Sequence, residues 1–568
     1  MEFQSENRTC QNCKKDFVIE SEDFNFYEKI KVPPPTFCPE CRFVRRLCWR
    51  NERSLYKRTC DLCQKNIISM YDKNVVFPVY CPKCWRSDAW DSSKYGKNYD
   101  FNRSFFEQFN DLFNFVPRES VWQLGNIVNA EYANFVHNSK NIYLSYSIIA
   151  DSEDIFFSNN VDNSKVVIDS YNISKSEYIY EGIGSVKNYN CQYNYWSSSC
   201  VDSYFILDCI NCSNCFGCVN LRNKKFCIWN EQYSKEQYFE TLKKFNIGSY
   251  KFIEDTRKNF FDFCLKFPRK YGRIINCTNT SGDEIRDCRN VKVAFFCYKS
   301  ENIKYDYRSP NIKDAMDVNH FHEAELGYEH ATGGSFKSFN VKFIINGGDG
   351  TNNLEYCDSC PSSNELFGCI GLRSKKYCIL NKQYTKEQYE EFIPKIKKQM
   401  VQVPYINKKG NIYKYGEFFP IEFSPFGYNE TMAGFFFPLS KEEIIKNKYN
   451  YKEKVENKYT ITKKANELPD DIKDVDDSIL NEIIECEVTK KAFKITPFEL
   501  QFYRRMNIPI PRLHQDERYI KRLALRNPMK LWHRKCMKEG CTNEFETSYA
   551  PERPEIIYCE RCYQQEVY

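Results

Sequence analysis

NSKNIYLSY begins at Asn138, DSEDIFFSN at Asp151, NSKVVIDSY at Asn163 and SEYIYEG at Ser176. Each segment opens on a polar step and runs into a short apolar strand, and the next begins roughly a dozen residues on. A short, regular period of this kind belongs to a β-solenoid, in which each coil buries its apolar side chains against its neighbours. Asn, Ser and Asp at the steps suit tight turns. Further along, cysteines join the pattern at a spacing of nine: Cys191, Cys200, Cys209, Cys218 and Cys227, then Cys288 and Cys297, then Cys360, Cys369 and Cys378.

The solenoid is duplicated. FGCVNLRNKKFCIWNEQYSKEQYFE at 216–240 matches FGCIGLRSKKYCILNKQYTKEQYEE at 367–391 at most positions. Each copy runs into an amphipathic helix beginning near Ser234 or Thr385, which are good capping residues with Glu236 or Glu387 in the first turn. Before the first copy, Asn102–Phe115 reads as a helix with Phe105, Phe106, Phe109, Leu112 and Phe113 on one face, closed by Pro117.

At the chain ends the chemistry changes. Cys10 and Cys13 with Cys38 and Cys41, Cys60 and Cys63 with Cys81 and Cys84, and Cys536 and Cys541 with Cys559 and Cys562 form three quartets. Paired knuckles about 15–25 residues apart are the ligand spacing of a closed, four-thiolate structural zinc site. Three zinc ions are expected. The two ends are also related to each other. Arg42, Arg46, Arg50, Asn51 and Leu55 align with Arg518, Arg522, Arg526, Asn527 and Leu531, and Phe26-Tyr27 aligns with Phe502-Tyr503. In the C-terminal copy the first ribbon is hollow, because Thr489, His514 and Glu517 stand where Cys13, Cys38 and Cys41 would be. Its fold is expected to rest on Phe493, Phe502, Tyr503 and Leu513.

The first ribbon is similar to the probable zinc-ribbon domain family, on Cys10, Cys13, Phe17, Phe26-Tyr27, Lys29, Cys38, Cys41, Arg42 and Arg45. The whole chain resembles uncharacterised multi-zinc-ribbon proteins of reduced-genome, candidate-phylum bacteria, on Cys38–Arg42, Arg50–Arg53, Leu55–Arg58, Tyr80–Trp85, Phe105–Phe109 and Arg553–Tyr563. The resemblance brings no activity with it. A CoA-transferase-type label carried by some members has no support in these residues.

These readings combine into a multi-domain α+β protein in which zinc-ribbon modules at both ends flank a duplicated right-handed β-solenoid with helical insertions. The expected boundaries are tandem ribbons over 1–92, a helical connector over 93–125, solenoid copies over 126–230 and 282–400, and a helical insertion over 231–281. A Phe/Pro-rich and charged linker over 401–485 then leads to the C-terminal ribbon module over 486–568.

Net charge is only +6, but it is unevenly placed. Arg42, Arg45, Arg46, Arg50, Arg53, Lys57 and Arg58 face one acid, Glu52, and a second run holds Arg518, Lys521, Arg522 and Arg526. On a helix Arg42, Arg46, Arg50 and Arg53 share a face. Guanidinium forks match phosphate oxygens, so both clusters are expected to bind nucleic acid, RNA or a ribonucleoprotein before DNA. The alternative is that these arginines pair with acids of the chain's own solenoid.

Two weaker metal candidates remain. Cys209, Cys212, Cys215 and Cys218 come near an iron–sulfur spacing but lack the final x3-C-P step, and buried thiols explain them more simply. His320, His322, Glu323, Glu325 and His330 lie close together in a chain with 6 histidines. They are the best place for a labile metal or a catalytic site on the solenoid. GGSFKS at 333–338 and GGDGT at 347–351 do not make a phosphate loop. No apolar run reaches membrane-spanning length, and MEFQSENRTC does not read as a signal peptide. A cytoplasmic setting is therefore expected, with the 29 cysteines reduced. The leading function is a non-catalytic, nucleic-acid-binding scaffold. A protein–protein scaffold is the second reading, and an enzyme near His320 and His322 the third.

Overall fold

The computed structural model describes residues 3–333, 336–453 and 459–568. Gly334 and Ser335, inside the glycine–serine stretch, and 454–458, inside the charged segment, lie outside the described residues.

Backbone conformation explains the period. From Asn160 through Asn163, Val166, Asp169, Asn172, Lys175, Tyr178 and Glu181, every third residue has φ between 45° and 60°. Each left-handed residue turns the chain, so four triplets close one twelve-residue coil with four short sides. Left-handed backbone is disfavoured for L residues, and most of all for Val. The coil offsets this cost with hydrogen bonds between layers. Corner amides donate one coil back, Asn163 to Ala150, Lys175 to Asp162 and Lys187 to Ser174. The strands stack in parallel in the same step: Glu153 on Lys165, Lys165 on Glu177, Glu177 on Tyr189 and Tyr189 on Val201.

One residue per triplet points inward, and a coil this narrow admits only small side chains. Ser164, Val167, Ser170 and Ile173 fill one layer, all buried. Cys200, Ser203, Ile206 and Cys209 fill another. Nine residues is three sides further round, which accounts for the cysteine ladder. The hydroxyl of Ser158 donates to Phe156 O at 2.9 Å and faces Val167 O at 3.4 Å. Cys209 Sγ lies 3.6 Å from Leu207 O and 3.5 Å from Cys218 O. The offsets along the chain are identical, so cysteine occupies the serine slot with a softer, larger atom.

The two copies form separate sheets, one over 123–232 and one over 274–383. The expected helices are present. Phe105–Phe113 is capped by Ser104, Lys235–Leu242 by Ser234 and Lys386–Gln402 by Thr385. The stretch expected as a linker is partly core: Tyr413, Phe418, Phe419 and Phe426 are buried with Phe105, Phe106 and Phe109.

The ends are not appended beads. The N-terminal ribbon shares a core with copy 2 through Tyr27, Phe37, Met316, Tyr328 and Phe343. The C-terminal hollow ribbon shares one with copy 1 through Tyr180, Tyr193, Phe493, Phe502 and Tyr503. Each first ribbon thus packs on the copy further from it in sequence than the other. The second ribbons bridge the joins. Val79 and Tyr80 pair with Arg118 and Glu119 just before copy 1, and Ile557 and Tyr558 pair with Arg269 and Lys270 just before copy 2.

Candidate metal centres and the buried arginine helices

Each intact ribbon is a short antiparallel hairpin, Glu6–Thr9 with Asp16–Ile19 in the first, followed by a knuckle on which a helix starts. Tight turns bring the thiols of each quartet within 4.8 Å of one another. Cys13 and Cys38 Sγ are 3.7 Å apart, Cys63 and Cys81 4.0 Å, and Cys541 and Cys559 3.9 Å. A tetrahedral ion with metal–sulfur bonds of about 2.3 Å needs edges of about 3.8 Å. The three quartets therefore fit a four-thiolate metal ion, with no position left for substrate. In the second quartet the Lys65 amide pulls the Cys63 thiol down to about 7, while burial pushes Cys81 and Cys84 up.

The hollow ribbon keeps the geometry without the ligands. Helix Pro39–Leu47 starts at the ligand Cys38, and its counterpart Gln515–Ala524 starts at His514. The His514 ring accepts the Asp516 amide at 3.2 Å and so serves as a helix cap. Among the described residues, Cys486, Thr489, His514 and Glu517 do not converge as the three quartets do. Phe493, Phe502, Tyr503 and Leu513 are buried beneath them.

The arginine clusters face inward, which corrects the expectation that they contact phosphates. Arg42, Arg45, Arg46 and Arg50 are each no more than 2% exposed. Arg42 Nε donates to Asp317 at 2.8 Å. Arg46 Nη1 bonds both Asp317 and Glu329 at 3.0 Å. Arg45 lies between Glu329 at 2.7 Å and Glu417 at 2.9 Å. Arg50 pairs with Glu52 at 2.6 Å and stacks on Phe135 at 3.9 Å. Arg53 covers the Tyr519 ring at 3.8 Å, and Arg58 reaches Asp61 at 2.8 Å. In the C-terminal copy Arg518 and Arg522 both bind Asp169, and Arg526 stacks on Tyr171 at 4.4 Å. Within the predicted set, Lys57 and Lys521 are exposed. The acids Asp317, Glu329 and Asp169 lie hundreds of residues from these arginines, so the charge run gave no sign of its direction.

The weaker metal candidates are corrected in the same way. Cys209, Cys212, Cys215 and Cys218 line successive sides of the solenoid interior, each next to a main-chain carbonyl, and they do not converge as the quartets do. His320 is 3% exposed, packed edge-on against Tyr307 with its Nε2 3.4 Å from Arg308. His322 stacks near Phe336, and His330 Nδ1 meets Asn319 O at 3.2 Å. Burial and the neighbouring Arg50 and Arg308 hold His320 well below the ordinary histidine range, and burial puts His322 and His330 at about 3. His330 faces the interior of copy 2 beside Val318 and Ile344, whereas His320 lies where copy 2 meets copy 1 and the N-terminal module and His322 is partly exposed, so among the described residues the three rings do not converge on a metal-sized site. No described helix is long and apolar enough to cross a membrane.

No protein-family model matches the chain, and no curated protein matches it in sequence.

Proposed function

We propose that the chain is a zinc-braced scaffold that presents the outer faces of two solenoids to protein partners. The observation that carries this reading is the fate of the arginines. The positive charge that would serve nucleic acid is neutralised internally, where it locks each ribbon module onto a solenoid. Zinc is the ion that four thiolates in a closed, redox-free structural site suit best, and here it would stiffen the clamps. The outward column supplies the partner surface. Its charges alternate along the stack, Lys140 with Glu153 at 2.7 Å and Arg289 with Glu301 in the second copy. An aromatic stands out at the same level of each copy: Tyr189 is 46% exposed and Phe339 43%. Aromatics placed at a partly charged face are the usual anchors of protein interfaces.

The test is native purification of tagged wild-type chain beside a Tyr189→Glu/Phe339→Glu variant, with elemental analysis and nuclease controls. A stoichiometric protein partner, lost in the variant at unchanged Tm, and about three zinc ions per chain are expected. Co-purifying RNA in place of protein, or a partner indifferent to both aromatics, would overturn the reading.

A further inference from the structure

Equivalent positions in the two halves are filled in one and hollow in the other. Before copy 1, Arg118 is 2% exposed; its Nη2 donates to Phe113 O at 3.2 Å and its Nε faces Asp358 at 3.2 Å. The ring of Phe113 lies 4.1 Å from the guanidinium, and Trp49 packs edge-on against that ring. Arg269 is the counterpart before copy 2. It makes the same helix-end bond, Nη2 to Cys264 O at 3.1 Å, and its strand pairs with the C-terminal ribbon as that of Arg118 pairs with the N-terminal one.

The surroundings differ. Aligning the halves on their matching segments places Cys264 at Phe113, Leu525 at Trp49, Glu555 at Phe77 and Leu207 at Asp358. Two large rings have become small side chains, and the arginine's carboxylate partner has become a leucine. A cleft of about 210 Å³ opens there, lined by Arg269, Cys264, Leu207, Leu525, Trp196 and Phe261 among others. Arg269 is 7% exposed, and its Nη1 has no hydrogen-bond partner. Of the other charges lining the cleft, Arg553 is held by Glu555, whose carboxylate also lies within electrostatic reach of Arg269, Arg273 sits over Trp196 beside Asp283 and Glu284, and Asp262 stands exposed at the rim. A buried guanidinium short of an acceptor is costly to leave so. An apolar cavity of about 150 Å³ accommodates benzene, so this cleft has room for a ring and a small head group.

We propose that the cleft binds a small organic anion, a carboxylate or phosphate monoester head on Arg269 with its ring against Trp196 and Phe261. Its test uses the full chain with zinc bound, titrated calorimetrically with benzoate, phenyl phosphate, inorganic phosphate and benzyl alcohol. One saturable site for a ring-bearing anion is expected, at least tenfold tighter than for benzyl alcohol or inorganic phosphate, and the better of benzoate and phenyl phosphate identifies the head group. Leu207→Asp, which restores the carboxylate seen at Asp358, and Cys264→Phe, which refills the space, are each expected to weaken binding at least tenfold without lowering Tm. Equal binding of the neutral probe or of bare phosphate, no saturable binding of either ring-bearing anion at millimolar concentration, or indifference to both substitutions would overturn the proposal. Arg269→Gln is the direct variant; Leu207→Asp keeps the test decisive should it fail to fold.

Discussion

The two dockings of a ribbon on a solenoid share their ring contacts and a doubly used aspartate, although one ribbon holds a thiol quartet and the other does not. Tyr27 and Phe26 meet Tyr328 edge-on, and Tyr503 and Phe502 meet Tyr180. Behind them Phe343 stacks on Tyr356 at 4.3 Å, and Tyr193 stacks on Phe205 at 4.3 Å. Asp317 holds Arg42 and Arg46, and Asp169 holds Arg518 and Arg522. The interface does not depend on the thiol quartet. The arginines therefore serve the docking, and the quartet serves the fold of the ribbon that carries them.

The largest effect separates these two jobs. A structural four-thiolate site contributes on the order of 10 kcal/mol of apparent binding energy at neutral pH, which is folding energy for a small module. Cys10→Ser is expected to release one metal ion and unfold the first N-terminal ribbon, seen as new amide exchange across 6–30. Cys486→Ser at the equivalent position is expected to shift stability by less than about 1 kcal/mol. A Cys486 variant that sheds a metal ion, or a Cys10 variant that keeps its full complement, would remove the distinction.

Next in size are the shared aspartates. Removing one carboxylate leaves two buried guanidinium groups short of a partner, and breaking a buried pair costs about 3–5 kcal/mol. Asp169→Ala and Asp317→Ala are both expected in that range by chemical denaturation. Asp169→Ala should lie at the upper end, because Arg46 retains Glu329 at 3.0 Å whereas the second carboxylate left to the Asp169 pair is Glu499, 3.9 Å from Arg518. Equal and small effects for both would mean that the pairs merely sit at the interface.

The outline of this architecture was legible in the sequence, and its inside was not. Period, duplication and thiol quartets are local patterns, so the solenoid, its two copies and the thiol clusters that can hold a metal ion could be read directly. The four-cornered coil was hidden because Phe157, Val166 and Tyr178 hold left-handed corners that single-residue preferences would never assign. The arginine helices misled for a different reason. Arg42, Arg46 and Arg50 on one helix face look the same whether the partner is a phosphate or Asp317, and only the tertiary fold brings Asp317 there. The cleft at Arg269 had a signal, the exchange of Phe113 and Trp49 for Cys264 and Leu525, but it gains meaning only once both halves are superimposed on one set of contacts.

A smaller, pH-dependent difference follows from the histidines. His320 and His322 sit in copy 2 at positions that copy 1 fills with Asn172 and Ser174, neither of which titrates. Both rings are held neutral in the fold, below the ordinary value of 6.5. Below about pH 6.5 the unfolded chain therefore takes up protons that the folded chain refuses, so stability falls as pH drops from there toward 3. Facing groups Arg50, Glu52, Arg308 and Tyr307 are included in the comparison by leaving them untouched. His320→Asn/His322→Ser is expected to flatten the loss of stability between pH 6.5 and 5. An unchanged slope would show that the rings titrate normally.

The smallest effect is expected at the lysines. Lys57 and Lys521 are exposed, so Lys57→Glu/Lys521→Glu should alter stability by no more than about 0.5 kcal/mol. Arg46→Glu, by contrast, places a carboxylate against Asp317 and Glu329 in a buried site and should undo the docking of its half. This contrast decides what a nucleic-acid assay can mean. Loss of binding in an Arg46 variant would report unfolding, whereas loss in the lysine variant, at unchanged Tm, would report a surface contact. Fluorescence anisotropy with short RNA and DNA at several salt concentrations is expected to give the same weak, salt-sensitive signal for wild type and lysine variant. A steep salt slope in the wild type that the lysine variant flattens would return phosphate binding to the ribbon modules, through these side chains and not through the arginines that hold the molecule together.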